Sequence, residues 1–414
     1  MNPEFEADAL LDGCAHVETP SELRRRLQRG TPLRVKFGVD PTGSELHLGH
    51  AVVLHKMQQF VAAGHDVTLL IGDFTALIGD PSGRNDSRPH LTREAIVENM
   101  RTYTQQAGKI LDLERISVRY NSEWLARLDL SDLIRLLSQT TVAQMLSRED
   151  FRNRYASETP IGLHEFLYPV AQAYDSVALA CDIELGGDDQ LFNFLLAREY
   201  QTNAGQPPQI CMTLPILEGT DGKIRMGKSR GNYIALTEAA HEQFGKTMRI
   251  PDELIARWAR LADFRSEEVC SVLERGIRDG SISPLDEKKN LAESIVQRYH
   301  GAAAARDARA YFERTIQRKE MPADMPQLAA AGSEKVVEVM LAAKVADSKR
   351  AAQRLINEGA VRIDEVVVPD PAARLPKTGS VVLQVGSRRY FRINLTAAVD
   401  PAADGSANQQ PDEG

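Results

Sequence analysis

The chain has 414 residues, 43% hydrophobic and 26% charged, which is enough apolar material for a large core and, by length, for two or three domains. Its formal net charge of −8 argues against a protein that coats nucleic acid indiscriminately, yet leaves room for one basic face. Cys14, Cys181, Cys211 and Cys270 lie far apart, with no zinc-like Cys/His spacing, and no apolar run reaches the length of a membrane span; a cytoplasmic protein with no membrane association and no structural metal is expected.

From Leu33, short apolar runs alternate with amphipathic stretches. Leu33–Val39 reads as a strand, a Pro/Gly turn follows, a helix begins at about His47, and Val67–Ile71 reads as a second strand; this spacing requires parallel pairing. A later strand around Asp182–Leu185 ends at Gly186-Gly187 and runs into a helix starting near Asp188, so a ligand-facing turn again precedes a helix N-terminus. The expected fold class is α/β, with a doubly wound, Rossmann-like parallel-sheet domain over residues 1–235 that includes an N-terminal helical segment. Helical spacing between Glu238 and Lys319 predicts an α-helical domain over 236–320. Residues 321–332, with two prolines and an Ala-Ala-Ala-Gly run, read as a linker. Beyond it, Val336–Leu341 and Ser348–Asn357 read as helices, and Val361–Ile363, Val366–Val368 and Val381–Val385 as strands, of a small α+β domain over 333–395. The tail over 396–414 lacks an apolar pattern and is expected to be disordered.

Charge is unevenly spread along this order. Between Ser333 and Leu395, eleven Lys or Arg against seven Asp or Glu give +4, so the rest of the chain carries −12. The C-terminal segment is therefore where phosphate is expected to be met.

Gly38-Val39-Asp40-Pro41-Thr42-Gly43 and then His47-Leu48-Gly49-His50 sit where a strand turns into a helix. A helix N-terminus offers unpaired N–H groups and partial positive charge to a polyphosphate. His47 and His50, at i and i+3, share one helix face and can both donate to phosphate oxygens, while Gly49 lets a ring or ribose approach the backbone. A lone His-x-x-His is often surface decoration or part of a metal site; the Gly/Pro/Thr turn ahead of it favours a nucleotide. Gly222–Asn232 gathers Lys223, Arg225, Lys228 and Arg230 among three glycines. By itself it is a solvated turn; with the upstream motif it reads as a mobile basic loop that closes on charge developing at phosphorus. Tyr168, Gln172 and Asp175, at i, i+4 and i+7, put a phenol, an amide and a carboxylate on one face of a helix spanning about Leu163–Leu179. Each would need a buried partner in a core, so a pocket for a polar, zwitterionic ligand accounts for them better.

Together the motifs resemble those of the bacterial tyrosyl-tRNA synthetases of class I. His47–His50 is similar to the family's His-Ile-Gly-His signature and Arg225–Ser229 to its Lys-Met-Ser-Lys-Ser, and the likeness covers roughly residues 30–395. The resemblance implies that His47, His50 and Lys228 stabilise the pentacoordinate transition state as a carboxylate attacks the α-phosphate of ATP, with Thr42, Arg225 and Ser229 in support. It places Gly38, Asp40, Gly49, Gly187 and Asp189 around the adenosine and ribose. Arg225 and Gly227 depart from the second signature: charge survives and one hydroxyl is lost. The resemblance further implies that Tyr168, Gln172 and Asp80 bind the α-ammonium group of tyrosine, that Asp175 accepts the phenolic proton, and that Gln190 orients the carboxylate. Lys36 stands where some members carry tyrosine, and two roles stay open for it, pairing with a pocket carboxylate or capping the strand end.

The implied partners are ATP as a substrate accompanied by Mg2+, L-tyrosine and tRNA(Tyr), with no tightly bound cofactor. Lys344, Lys349, Arg350 and Arg354 on the C-terminal helices, and Arg388, Arg389 and Arg392 near the last strand, resemble a small RNA-binding module; a solvated basic face is the alternative. The family forms a symmetric homodimer through the region matching Trp124–Tyr155, which carries Arg148, Arg152 and Arg154 and from its residues alone reads equally as core. Two rivals remain, a tryptophanyl-tRNA synthetase and a catalytically inactive synthetase-like RNA-binding protein. Tyr168, Gln172 and Asp175 favour tyrosine over the first, and His47, His50 and Lys228 favour catalysis over the second.

Overall fold

A computed structural model describes residues 3–82, 92–317, 325–386 and 389–396, apart from the side chains of residues 93, 229, 316 and 317. Of the tail expected over 396–414, residue 396 is described and ends a strand; the rest lies outside the described residues, as does Arg388.

The chain divides into two compact units, residues 1–305 and 306–414. In the first, six strands form a sheet in the order β1-β6-β5-β2-β3-β4, with β1 (His16–Glu18), β2 (Arg34–Val39), β3 (Asp66–Ile71), β4 (Ile116–Tyr120), β5 (Ile183–Gly187) and β6 (Ile210–Leu214). All neighbours pair in parallel except β1, which runs antiparallel along β6. β6 is buried at all five positions and β5 at four of five, as expected for parallel strands covered on both faces. From β2 the chain winds outward to β3 and β4, whereas β5 and β6 lie on β2's other side. That reversal makes β2 and β5 the switch point of the sheet, and a crevice opens at their carboxyl ends. The doubly wound, parallel α/β class expected for this region is what forms.

The helix expected from about His47 spans Leu48–Ala63, with His47 as its N-cap and Gly64 ending it in the left-handed region at φ 89°. The helix expected over Leu163–Leu179 resolves into a single 3-10 turn, Leu163–Phe166, and an α-helix, Leu167–Ala178, which accepts Pro169 in its first turn, where no backbone bond is lost. Near Asp188 a 3-10 turn, Asp188–Gln190, precedes the helix Leu191–Asn203.

Helices Ile255–Leu261, Glu267–Asp279 and Pro284–Phe312 bear out the helical spacing after residue 238, and the last is interrupted at Gly301, φ 85°. The boundary expected near 235 is not a break in packing. Trp258, Leu291 and Ile295 belong to the same buried cluster as Leu54, Phe60 and Ile183 of the sheet layer.

The second unit holds a sheet in the order β7-β11-β10-β8-β9, formed by β7 (Gln327–Ala331), β8 (Val361–Ile363), β9 (Val366–Val367), β10 (Gly379–Val385) and β11 (Arg389–Thr396). Helices Val336–Ala342 and Lys349–Asn357 join it around a core that includes Val336, Met340, Ile356, Leu383 and Ile393. The linker expected over 321–332 does not extend that far, because Gln327–Ala331 pairs in parallel with β11. An alanine-rich run carries no local strand signal, and its partner lies more than 60 residues away.

Candidate active site

The crevice at the ends of β2 and β5 is a cavity of about 970 Å³. The expected catalytic and nucleotide residues Gly38, Asp40, Thr42, His47, Gly49, His50, Gly187, Asp189, Arg225 and Lys228 line it, and so do Asp80, Tyr168, Gln172, Asp175 and Gln190, expected around tyrosine. The side chain of Ser229 lies outside the described residues.

At the helix N-terminus, Gly49 N donates to His47 Nδ1 at 3.2 Å and His47 N donates to His50 Nδ1 at 3.2 Å. Both δ-nitrogens are thereby acceptors, which assigns the proton of each neutral ring to Nε2. Burial, followed by the Lys228 ammonium, pushes the His50 imidazole down to about 3. Burial, followed by His50, Lys228 and Arg225, holds His47 well below its ordinary value. Two neutral rings, with centroids 3.9 Å apart, thus offer Nε2–H donors at neutral pH. Gly49 is required by more than ligand approach, since a Cβ there would lie 3.0 Å from the His47 ring.

The basic segment closes over the same cavity. Glu218 and Arg225 form a lone β-bridge, Asn232 Oδ1 accepts from Gly227 N at 2.9 Å, and Lys228–Arg230 makes one 3-10 turn. Arg225 is ion-paired with Asp189 and donates to Ser82 O at 2.9 Å. Lys228 Nζ donates to Tyr103 Oη at 3.0 Å and packs over Gly43, where a Cβ would lie 2.9 Å from the ammonium. Gly227 is extended at φ −165°, with its nearest neighbour 3.8 Å from a built Cβ, so backbone and space accept the serine that the family carries.

Deeper in the cavity, Asp175 is 3% exposed and accepts from Trp124 Nε1 at 2.7 Å and Asn121 Nδ2 at 3.2 Å. Burial, opposed by Lys36, Trp124 and Asn121, raises its carboxyl to about 7. Asp40 accepts from Thr75 Oγ1 at 2.8 Å and Tyr168 Oη at 3.1 Å, which joins the expected nucleotide and amino-acid residues directly. Asn193 Nδ2 donates to Gln172 Oε1 at 2.7 Å and to Gln190 Oε1 at 2.9 Å, and Gln190 Nε2 donates to Asp80 Oδ2 at 3.1 Å. Of the two roles open for Lys36, the carboxylate is the one realised: its Nζ lies 3.0 Å from Glu184 Oε1.

A sequence profile of the class I tRNA synthetases for tryptophan and tyrosine matches residues 28–317, and a profile of the tyrosine–tRNA ligase C-terminal domain matches residues 317–393. The tyrosine–tRNA ligase of Thermotoga maritima is 47% identical over 394 residues, covering 95% of this chain and 98% of the relative. That of Geobacter sulfurreducens is 47% identical over 390 residues, covering 92% and 97%. The chain belongs to the tyrosine–tRNA ligase family. Two archaeal tyrosyl-tRNA synthetase structures share the fold: that of Aeropyrum pernix, with TM-score 0.61 and 23% identity over 76% of this chain and 99% of the other, and that of Archaeoglobus fulgidus complexed with L-tyrosine, with TM-score 0.62 and 24% identity over 74% and 100%.

Several residues of this ligase were not foreseen at the site. Gly72 faces Asp40, and a Cβ there would lie 2.1 Å from Asp40 Oδ1. Asn121 and Trp124 follow the carboxyl end of β4, where side chains of a doubly wound sheet meet ligands; that position was the available signal. Arg148, in the region that reads equally as core or as a dimer surface, is 4% exposed, 3.5 Å from Asp80 Oδ1, and donates to Asn193 Oδ1 at 3.1 Å. Arg154 is likewise buried, against Glu165 at 2.5 Å.

In the second unit, Lys344, Lys349, Arg350 and Arg354 are exposed, and the helix Lys349–Asn357 turns Ala352 and Ile356 inward. Lys349 and Arg354 have acidic neighbours, Glu338 at 2.7 Å and Glu358 at 3.7 Å, in exposed pairs that are weak competitors for a phosphate. Arg389 is committed in part to Val345 O, at 2.9 Å. Among the described residues, no group of three or more His, Cys, Asp or Glu is placed to hold a metal, and no helix is long and apolar enough to cross a membrane.

Proposed function

We propose that the cavity activates L-tyrosine with ATP and transfers it to the 3′ end of tRNA(Tyr), with the residues lining it in the following roles. The observation that carries this reading is the convergence, in one cavity, of two Nε2–H histidine donors, a basic turn and a buried carboxylate held by an indole and an amide. ATP enters with its Mg2+ as a substrate; its adenosine lies along Gly38, Gly49 and Gly187, and its ribose meets Asp189 once Arg225 gives way. Tyr168, Gln172 and Asp80 receive the α-ammonium group, Asp175 accepts from the phenol, and Gln190 orients the carboxylate. A carboxylate oxygen attacks the α-phosphorus, the bond to the β-phosphate oxygen breaks, and pyrophosphate leaves. Charge growing on the phosphoryl oxygens is met by His47 and His50 through Nε2–H and by Lys228, with Thr42, Arg225 and Ser229 in support. A tRNA 3′-terminal ribose hydroxyl then attacks the carbonyl carbon and AMP departs.

The experiment that tests this is amino-acid-dependent exchange of pyrophosphate with ATP across the twenty amino acids. Exchange with tyrosine alone is expected. Exchange with tryptophan transfers the site to the first rival, and no exchange with any amino acid supports an inactive RNA-binding protein.

The functional division we propose places adenylate formation in the first unit and tRNA contact in the second, which carries the excess of cations. Reversing three exposed charges, Lys349→Glu, Arg350→Glu and Arg354→Glu together, is expected to lower tRNA charging at least tenfold and flatten its salt dependence, with pyrophosphate exchange unchanged. Equal losses in both assays would remove the second unit from tRNA recognition. We also propose a cytoplasmic homodimer. Leu130, Ile134, Val142, Tyr155 and Leu163 are each more than half exposed, a concentration of apolar surface in one stretch of the first unit that a monomer would leave wet. Light scattering should return twice the chain mass of 45.8 kDa; a single chain mass at working concentration overturns the dimer.

A further inference from the structure

Lys36 and Glu184 are register partners across β2 and β5, the two strands that flank the crevice, and each is 1% exposed. A buried ion pair is a poor source of stability, because desolvation offsets most of the attraction. What surrounds Glu184 gives the pair another use. Its Oε1 accepts from Gln172 Nε2 at 3.1 Å, and its Oε2 accepts from Ser176 Oγ at 3.0 Å and from Gln209 Nε2. Lys36 Nζ, besides its contact with Glu184, donates to Ser176 Oγ at 2.7 Å, so that hydroxyl must spend its own proton on Glu184.

The consequence falls on Gln172. An amide has a donating end and an accepting end of nearly the same shape, and its neighbours decide which faces where. An ionised carboxylate only accepts, so Glu184 claims the NH₂ end. The carbonyl end must then face the other way, where Asn193 Nδ2 occupies one of its two lone pairs. The second lone pair is available to an incoming donor.

We propose that Glu184, held by Lys36, fixes the direction of the Gln172 amide and thereby the place where the α-ammonium group of the substrate is received. The inference rests on the tyrosine reading above. Lys36 and Glu184 act through Gln172 and are positioning residues. Lys36 also separates Glu184 electrostatically from Asp175, another acidic group of the pocket: Glu184 raises the Asp175 carboxyl and Lys36 lowers it.

The test uses the full chain and two ligands, L-tyrosine and 3-(4-hydroxyphenyl)propionate, which is tyrosine without its ammonium group. In pyrophosphate exchange, Glu184→Gln is expected to raise KM for tyrosine at least tenfold and change kcat less than threefold, while inhibition by the propionate stays within twofold of wild type. Lys36→Met combined with Glu184→Gln leaves no unpaired buried charge, and it carries the same expectation should the single variant fail to fold. Equal weakening of both ligands would mean a collapsed pocket and overturns the proposal, as does an unchanged KM for tyrosine. A wild-type chain with no tyrosine-dependent exchange overturns the proposed function itself, and this inference with it, before any variant is read.

Discussion

Replacing Lys228 by alanine is expected to slow tyrosyl-adenylate formation by about 10²–10³-fold and to change tyrosine affinity less than threefold. The ammonium rests on the Tyr103 hydroxyl, 3.0 Å away, and over Gly43, whereas Asp175 is held by Trp124 and Asn121. In the role proposed for it, its charge counts when negative charge develops on the phosphoryl oxygens, and much less when tyrosine binds alone. Single-turnover measurement of adenylate formation, with tyrosine affinity from equilibrium dialysis, separates the two. Comparable losses in both would remove Lys228 from the chemical step.

Asp175→Asn should act in opposite directions on recognition and on stability. Tyrosine–tRNA ligases are known to reject phenylalanine by about 10⁵, which requires a buried partner for the phenolic hydroxyl that is costly to leave unpaired. Asn retains the shape but loses the charged acceptor, so kcat/KM for tyrosine should fall about 10²–10³-fold while that for phenylalanine changes less than tenfold. Unchanged discrimination would refute the assignment of Asp175. For stability, the carboxyl titrates at about 7 in the fold against 3.8 when unperturbed, chiefly because of burial. Between those values the folded chain holds a proton that the unfolded chain has released, so the group's contribution falls as pH rises through that window and stays low above it. At about 1.4 kcal/mol per tenfold change in proton affinity, ionised Asp175 costs the fold on the order of 4 kcal/mol. The Asn amide meets one donor it cannot accept from, a penalty of about 1–3 kcal/mol. The variant should melt higher than wild type at pH 8 and lose that advantage by pH 4.5. An advantage independent of pH would show that the carboxyl is not perturbed as described.

The amino-acid sequence disclosed the site where chemistry and local spacing coincide. His47–His50, the basic turn and the Tyr168/Gln172/Asp175 face each combine a residue type with a period, and all line one cavity. It disclosed far less where a residue's meaning depends on distant partners. Arg148 sits in a stretch whose residues read equally as core or as a dimer surface, and only its contacts with Asn193 and Asp80, distant in the chain, give it a buried place. Lys36 could not be assigned until β5 placed Glu184 beside it. Gly72 carries no signal in a strand-to-turn passage, because the atom it must avoid belongs to Asp40. The doubly wound order followed from alternating strands and helices, whereas the seamless core linking sheet and helices past residue 235 follows from which apolar faces meet.

The pairing of β7 with β11 sets the order in which the second unit is completed. β7 opens that sheet in the chain and lies at its edge, with β11, the last described strand, as its neighbour from Gln327↔Arg392 to Ala331↔Thr396. During synthesis β7 emerges more than 60 residues before β11, so a nascent chain that has not yet added β11 carries an unpaired strand. A stop within β11 therefore removes two strands at once, because β7 has β11 as its one neighbour among the described strands of that sheet.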